Sequence, residues 1–239
     1  MRDEAEYKGD SEAVGLGMRR CRDAGGVSAY FADVATLARK DLRLELRVRS
    51  VVPSMLLFVV SALVVFHFAL PSGSSDLAAK GLLWVAIVFT ALLGLTRAFV
   101  AEREQRLLDG LLLAPCDRSA IWLAKTVSML GFLVVAELVA LPAFALFFSG
   151  IDRATVAGVA LADLGICAVG TVLAAMAVAG RARELLLPLL FLPLAIPIVV
   201  GGVGASVADE PARYLGFLAL YDAVFAIISW ASFEYVVTE

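Results

Sequence analysis

The segment RAFVAEREQRLLDGLLLAPCDRSAIWLAK, residues 97–125, sets a dense group of charges between two long apolar runs. Wound as a helix, it places Leu107, Leu108, Leu111 and Leu112 on one face and Glu102, Arg103, Arg106 and Asp109 largely on the other. Pro115 disfavours helix at Ala114, and Asp117 is placed to cap a new helix starting near Arg118. The pattern suits a short amphipathic helix at a membrane surface, a shape on which a soluble partner can dock. A solvated loop lying on lipid headgroups fits the same charges.

The chain on either side is strongly apolar. Hydrophobic residues make up 61% of it and the mean hydropathy is +0.89, which excludes an ordinary soluble domain. Six runs approach the roughly twenty residues that cross a bilayer: about 52–70, 82–100, 121–148, 156–179, 185–207 and 214–236. Each is expected to be helical, because lipid offers the backbone no hydrogen-bond partner. The expected fold is therefore an all-α integral membrane protein with six transmembrane helices.

Orientation is read from the 20 Lys and Arg residues. Ten precede the first span, Arg97, Arg103, Arg106, Arg118 and Lys125 surround the second loop, and Arg181 and Arg183 lie in the fourth. Lys80, Arg153 and Arg213 are left for the other side. This asymmetry places both termini and the 97–125 segment in the cytoplasm. No basic block points to nucleic acid.

Residues 1–29 are polar, charged and glycine-bearing, without an apolar period or the apolar core of a signal peptide. They are expected to form a disordered cytoplasmic extension, with Met18 an alternative start. From Tyr30 to Arg49 the chain is basic and amphipathic: Tyr30, Val34, Leu37 and Leu44 suit a helix, whereas LRLELRV alternates like a strand. An interfacial helix is favoured, since a lone strand there would leave its edges unpaired. The permease domain is thus expected over 30–239.

The stretch from Gly81 to Lys125, with DGLLLAP at Asp109–Pro115 as its core, closely resembles the CcmB family of cytochrome c maturation permeases. The likeness extends upstream through ARKDLRLELRVRSVVPSMLLF (Ala38–Phe58) and downstream through ELVALPAFALFF (Glu137–Phe148). Asp109 stands where the family has Glu, and the charge is kept. The resemblance implies an ABC-2 type exporter permease in the bacterial inner membrane, working in two copies with a separate ATPase of the heme exporter protein A type. It also implies a heme-handling membrane subunit, a small accessory subunit, a heme chaperone, and heme as cargo rather than as a stably bound cofactor. Two further readings stay open, an ABC-2 permease for a drug, lipid or polysaccharide and an ATPase-independent heme-binding membrane protein.

On this reading residues 101–118 form the coupling segment, with Glu102, Arg103 and Glu104 as the leading contacts to an ATPase, then Arg106 and Asp109, and Asp117 as contact or cap. Within the spans, ionisable groups cost roughly 2.5 to 3.5 kcal/mol near the bilayer centre, which singles out Glu137, Asp163 and Asp222. A mechanistic role competes there with buried interhelical hydrogen bonding. Pro188, Pro193 and Pro197, followed by Gly201, Gly202 and Gly204, predict a kinked or broken fifth span that serves as a hinge or as ordinary kinked packing. Ala154, Gly158, Ala162, Gly170 and Ala174 permit close helix contact within the protomer or across a dimer.

His67 is the one histidine and could contact heme iron, or simply pack beside Phe66 and Phe68. Cys21, Cys116 and Cys167 make no CxxCH or CxxC arrangement. With no Walker A, GxSxG or HExxH motif, the chain reads as a transport subunit rather than an enzyme, and ATP would be bound by its partner.

Overall fold

In the computed structural model the residues described are 27–47, 51–71, 76–98, 118–148, 150–179 and 183–238. Among them the chain is helical throughout: α1 (Val27–Arg47), α2 (Val51–Ala69), α3 (Asp76–Ala98), α4 (Arg118–Phe147), α5 (Arg153–Ala179), α6 (Arg183–Val207) and α7 (Pro211–Thr238). Helices α2 to α7 are each long and apolar enough to span a membrane. The strand alternative for 42–48 is thus settled as helix through Arg47. The expected coupling segment up to residue 117, with Glu102, Arg103, Glu104, Arg106, Asp109 and Asp117, lies outside the described residues, as do Cys21, Cys116 and nearly all of the 1–29 extension.

Helices α3 and α5 form the centre of the bundle, and α2 and α7 lie toward its outside. The most extensive packing is of α5 on α7 and α6, with α3 against α6, α2 and α4 against one another, and α1 on α4. One continuous core runs through Met55, Trp84, Leu95, Leu133, Phe144, Ile166, Phe191 and Leu218. The outward faces are equally apolar: Leu57, Phe68, Leu146, Leu189, Leu220 and Ile227 are exposed. A bundle apolar both inside and out has no hydrophobic reason to associate in lipid, so packing between small residues must supply the fit.

The small residues of α5 do this within the protomer. Gly158 lies against Trp84 and Ala205, and a methyl on Gly170 would overlap Leu95. On α6, Gly202 is the sharper case, because a Cβ there would collide with the indole of fully buried Trp84. Helix α6 bears on the expectation of a kinked or broken fifth span. With Pro188, Pro193 and Pro197 inside it, it runs as one α-helix from Arg183 to Val207 without a break. Each proline removes the hydrogen bond its N–H would give to the carbonyl four residues back; separately, Tyr221 of α7 donates to the Leu194 carbonyl at 2.7 Å and ties α7 to α6 there.

Span two begins six residues before the expected position, at Asp76 rather than 82. The charges of Asp76 and Lys80 made this turn look like loop; the structure pairs them at 3.0 Å along one helix face. Gly202→Val is expected to cost about 1–3 kcal/mol through overpacking, read as a lower midpoint of thermal unfolding in detergent, whereas Gly216→Ala, facing open space, should leave the midpoint unchanged.

Candidate functional site

Helix α1 presents Val34, Ala38 and Asp41 on one buried face, and that face seats on α4. Val34 and Ala38 pack on Ala120 and Ala124, Asp41 reaches Lys125, and Leu42 approaches Gly131, so α1 follows α4 in the same chain direction for about three turns. The helix is therefore docked on the bundle rather than lying free on a membrane surface. Its anchor is an ion pair that sequence reading did not single out: Lys125 Nζ to Asp41 Oδ2 at 2.8 Å, with both side chains about 5% exposed (6% and 5%). Lys40 lies 3.3 Å from the other Asp41 oxygen. This pair stands about two helical turns beyond the start of α4 at Arg118.

At the opposite ends of the helices a second buried cation is tied down. Lys80 Nζ donates to the Ser206 carbonyl at 2.6 Å and faces Asp76; Trp84 Nε1 donates to Ser206 Oγ at 3.1 Å, and Ser206 Oγ donates to the Gly202 carbonyl at 2.8 Å. The end of α6 is thereby fastened to the start of α3. Nearby, Asp152 caps α5: its Oδ1 accepts the Thr155 backbone N–H at 3.0 Å and the Thr155 hydroxyl. Partial burial pushes the Asp152 carboxyl up, but the Thr155 bonds and the charge of Lys80 outweigh it and hold it below its ordinary value.

The three intramembrane acids are all buried, and the structure brings two of them together. Glu137 of α4 and Asp163 of α5 lie within hydrogen-bonding reach of each other, close to Cys167 one turn further along α5. Asp222 of α7 instead presses on Gly165, which projects from the side of α5 nearly opposite Asp163. Glu137 Oε1, Asp163 Oδ1 and both Asp222 oxygens have no hydrogen-bond partner among the described residues. Glu137 also lines a small pocket between α2, α3 and α4 formed with Val59, Ile87, Thr90, Leu133, Ala136 and Ala140.

His67 is exposed near the end of α2, ringed by Phe68, Phe147 and Phe148 with ring centroids 5.5, 5.4 and 5.6 Å away. No other described histidine, cysteine or carboxylate group gathers around it, and no group of three such residues that could hold a metal occurs among the described residues. Of the hinge prolines, Pro193 is exposed and Pro188 and Pro197 are half-buried.

Six apolar helices with polar pairs at their ends and acids at their centre define a multi-pass membrane protein. The CcmB protein family matches residues 32–233, nearly the whole permease domain, and this chain belongs to that family. It is 32% identical over 184 residues to heme exporter protein B of Bradyrhizobium diazoefficiens, covering 73% of this chain and 81% of that one. It is 33% identical over 192 residues to heme exporter protein B of Paracoccus denitrificans, covering 75% and 87%. To heme exporter protein B of Pseudomonas aeruginosa it is 30% identical over 178 residues, covering 72% and 80%. Such a subunit is a component of transport, not itself a catalyst.

Breaking a buried ion pair leaves one charge stranded, so Asp41→Ala is expected to destabilise the fold by about 3–5 kcal/mol. The exchange Asp41→Lys with Lys125→Asp should recover part of that loss in thermal unfolding. Asp152→Ala should cost about 1 kcal/mol at neutral pH as a lost cap. Because the folded Asp152 value is depressed, its contribution is complete above the ordinary carboxylate range and fades as pH falls below about 4. The gap between wild type and variant should close there.

Proposed function

We propose that this chain is the membrane permease subunit of an ATP-driven heme exporter serving cytochrome c maturation. The observation that carries this reading is the family match across residues 32–233, which takes in all six spanning helices and the α1 platform. The subunit sits in the bacterial inner membrane with both termini in the cytoplasm, an orientation supported by the excess of Lys and Arg in the termini and in the second and fourth loops. Two copies assemble with a separate ATPase, and a heme-handling membrane subunit, a small accessory subunit and a heme chaperone complete the pathway.

Closure of the ATPase pair on ATP would push on residues 101–118, with Glu102, Arg103 and Glu104 as its principal contacts, Arg106 and Asp109 beside them, and Asp117 where α4 starts. Helix α4 begins at Arg118, so a push there enters the bundle directly. The ion pair from Lys125 to Asp41 makes α1 move with it. Pro188, Pro193 and Pro197 give α6 bend points that a continuous helix otherwise lacks. Motion is transmitted only if the segment binds the two ATPase states with different affinity.

Heme is the cargo, moved directly or as the load of a released chaperone. His67 and its phenylalanines offer an imidazole and an aromatic surface near the outer end of α2, chemistry that an iron porphyrin can use. Affinity purification from the native membrane tests the partnership: an ATPase is expected to accompany the intact chain and to be lost from the Glu102→Ala, Arg103→Ala, Glu104→Ala triple variant. Retention of the ATPase by that variant would remove these residues from the docking surface.

A further inference from the structure

We propose that Glu137 and Asp163 form an intramembrane proton-binding site, in which one proton is held between an oxygen of each carboxyl. This goes beyond the transport reading and does not depend on what the cargo is.

The argument starts from donors and acceptors. An ionised carboxylate only accepts hydrogen bonds, so a bond between two carboxyl groups exists only if one of them carries a proton. Glu137 and Asp163 are about nine-tenths and almost wholly buried, respectively (9% and 1% exposed), on adjacent helices of the bundle, within reach of each other. Two full charges at this separation in a low-dielectric interior would repel strongly, and one shared proton removes that repulsion. The remaining oxygens, Glu137 Oε1 and Asp163 Oδ1, meet no protein donor, so nothing else in the described structure compensates a second charge.

What faces the pair from each neighbouring helix is weakly polar. Helix α3 offers Thr90, whose hydroxyl donates at 2.7 Å to the Ala86 carbonyl and keeps its lone pairs for accepting. Helix α5 offers Cys167, fully buried beside both acids. From α2 comes only Val59. The carboxyl of α7, Asp222, is turned to another side of α5 at Gly165. The pocket that Glu137 lines with Thr90 leaves room for about one water molecule beside the Glu137 carboxyl. Since the two acids come from different helices, any movement of α4 against α5 that parts them must first move or release that proton.

The test is infrared difference spectroscopy on the full chain in lipid nanodiscs, watching the carbonyl stretch of a protonated carboxyl in light and heavy water. The expected result is a band that shifts in heavy water and is shifted or lost in both Glu137→Gln and Asp163→Asn, while Asp222→Asn leaves it in place. A band unchanged in the Glu137→Gln, Asp163→Asn double variant, or no such band in the wild type, overturns the proposal. Should the variants fail to fold, labelling of the wild type with a hydrophobic carbodiimide, which attacks protonated carboxyls, decides the matter. Modification mapped to Glu137 or Asp163 supports the site, and neither residue modified under conditions that label Asp222 overturns it.

Discussion

A bilayer interior will not solvate a backbone amide or a side-chain charge, and this constraint accounts for most of the structure. It makes all six spans helical and continuous, even α6 with three internal prolines, where Tyr221 lends a hydrogen bond to a nearby carbonyl. It also favours a fixed partner for a cation buried in the bundle. Lys125 has Asp41, and Lys80 has Asp76 and the Ser206 carbonyl. These two cations sit at opposite ends of the helical layer and do different jobs. One docks the amphipathic helix α1, and the other fastens the end of α6 to the start of α3.

If residues 101–118 couple to an ATPase as proposed, rigid fastening at the end where α3 meets α6 and a docked helix at the other end would together act as a lever. Helix α4 is its arm: it receives the chain from residues 101–117, carries α1 through Asp41, and holds Glu137 at its middle against Asp163 of α5. Close packing of Gly202 on Trp84 and of Gly170 on Leu95 ties the remaining helices into one body against which α4 can work.

The six spans were legible because length and hydropathy alone identify a membrane helix, and the helical nature of 30–47 was legible once an isolated strand was ruled out physically, though the helix begins three residues earlier, at Val27. The start of α3 was not, because Asp76 and Lys80 resemble loop residues until their mutual pairing and the Ser206 carbonyl are known. Burial cost picked out Glu137, Asp163 and Asp222, but one sequence could not say that two of them meet and the third stands apart. That depends on the rotation of α4 and α7 about α5. Asp41 and Lys125 were invisible for a related reason: each looked like one more interfacial charge, and their pairing spans 84 residues of chain. Proline chemistry alone left α6 either kinked or broken, and the structure shows the helix unbroken.

The most direct test of the central claim is to remove this chain from its native membrane and stain the c-type cytochromes for covalently bound heme. The account predicts that the stain is lost while the cytochrome polypeptides are still made, and returns when the full chain is supplied again. Undiminished covalent heme in the absence of this chain would contradict it.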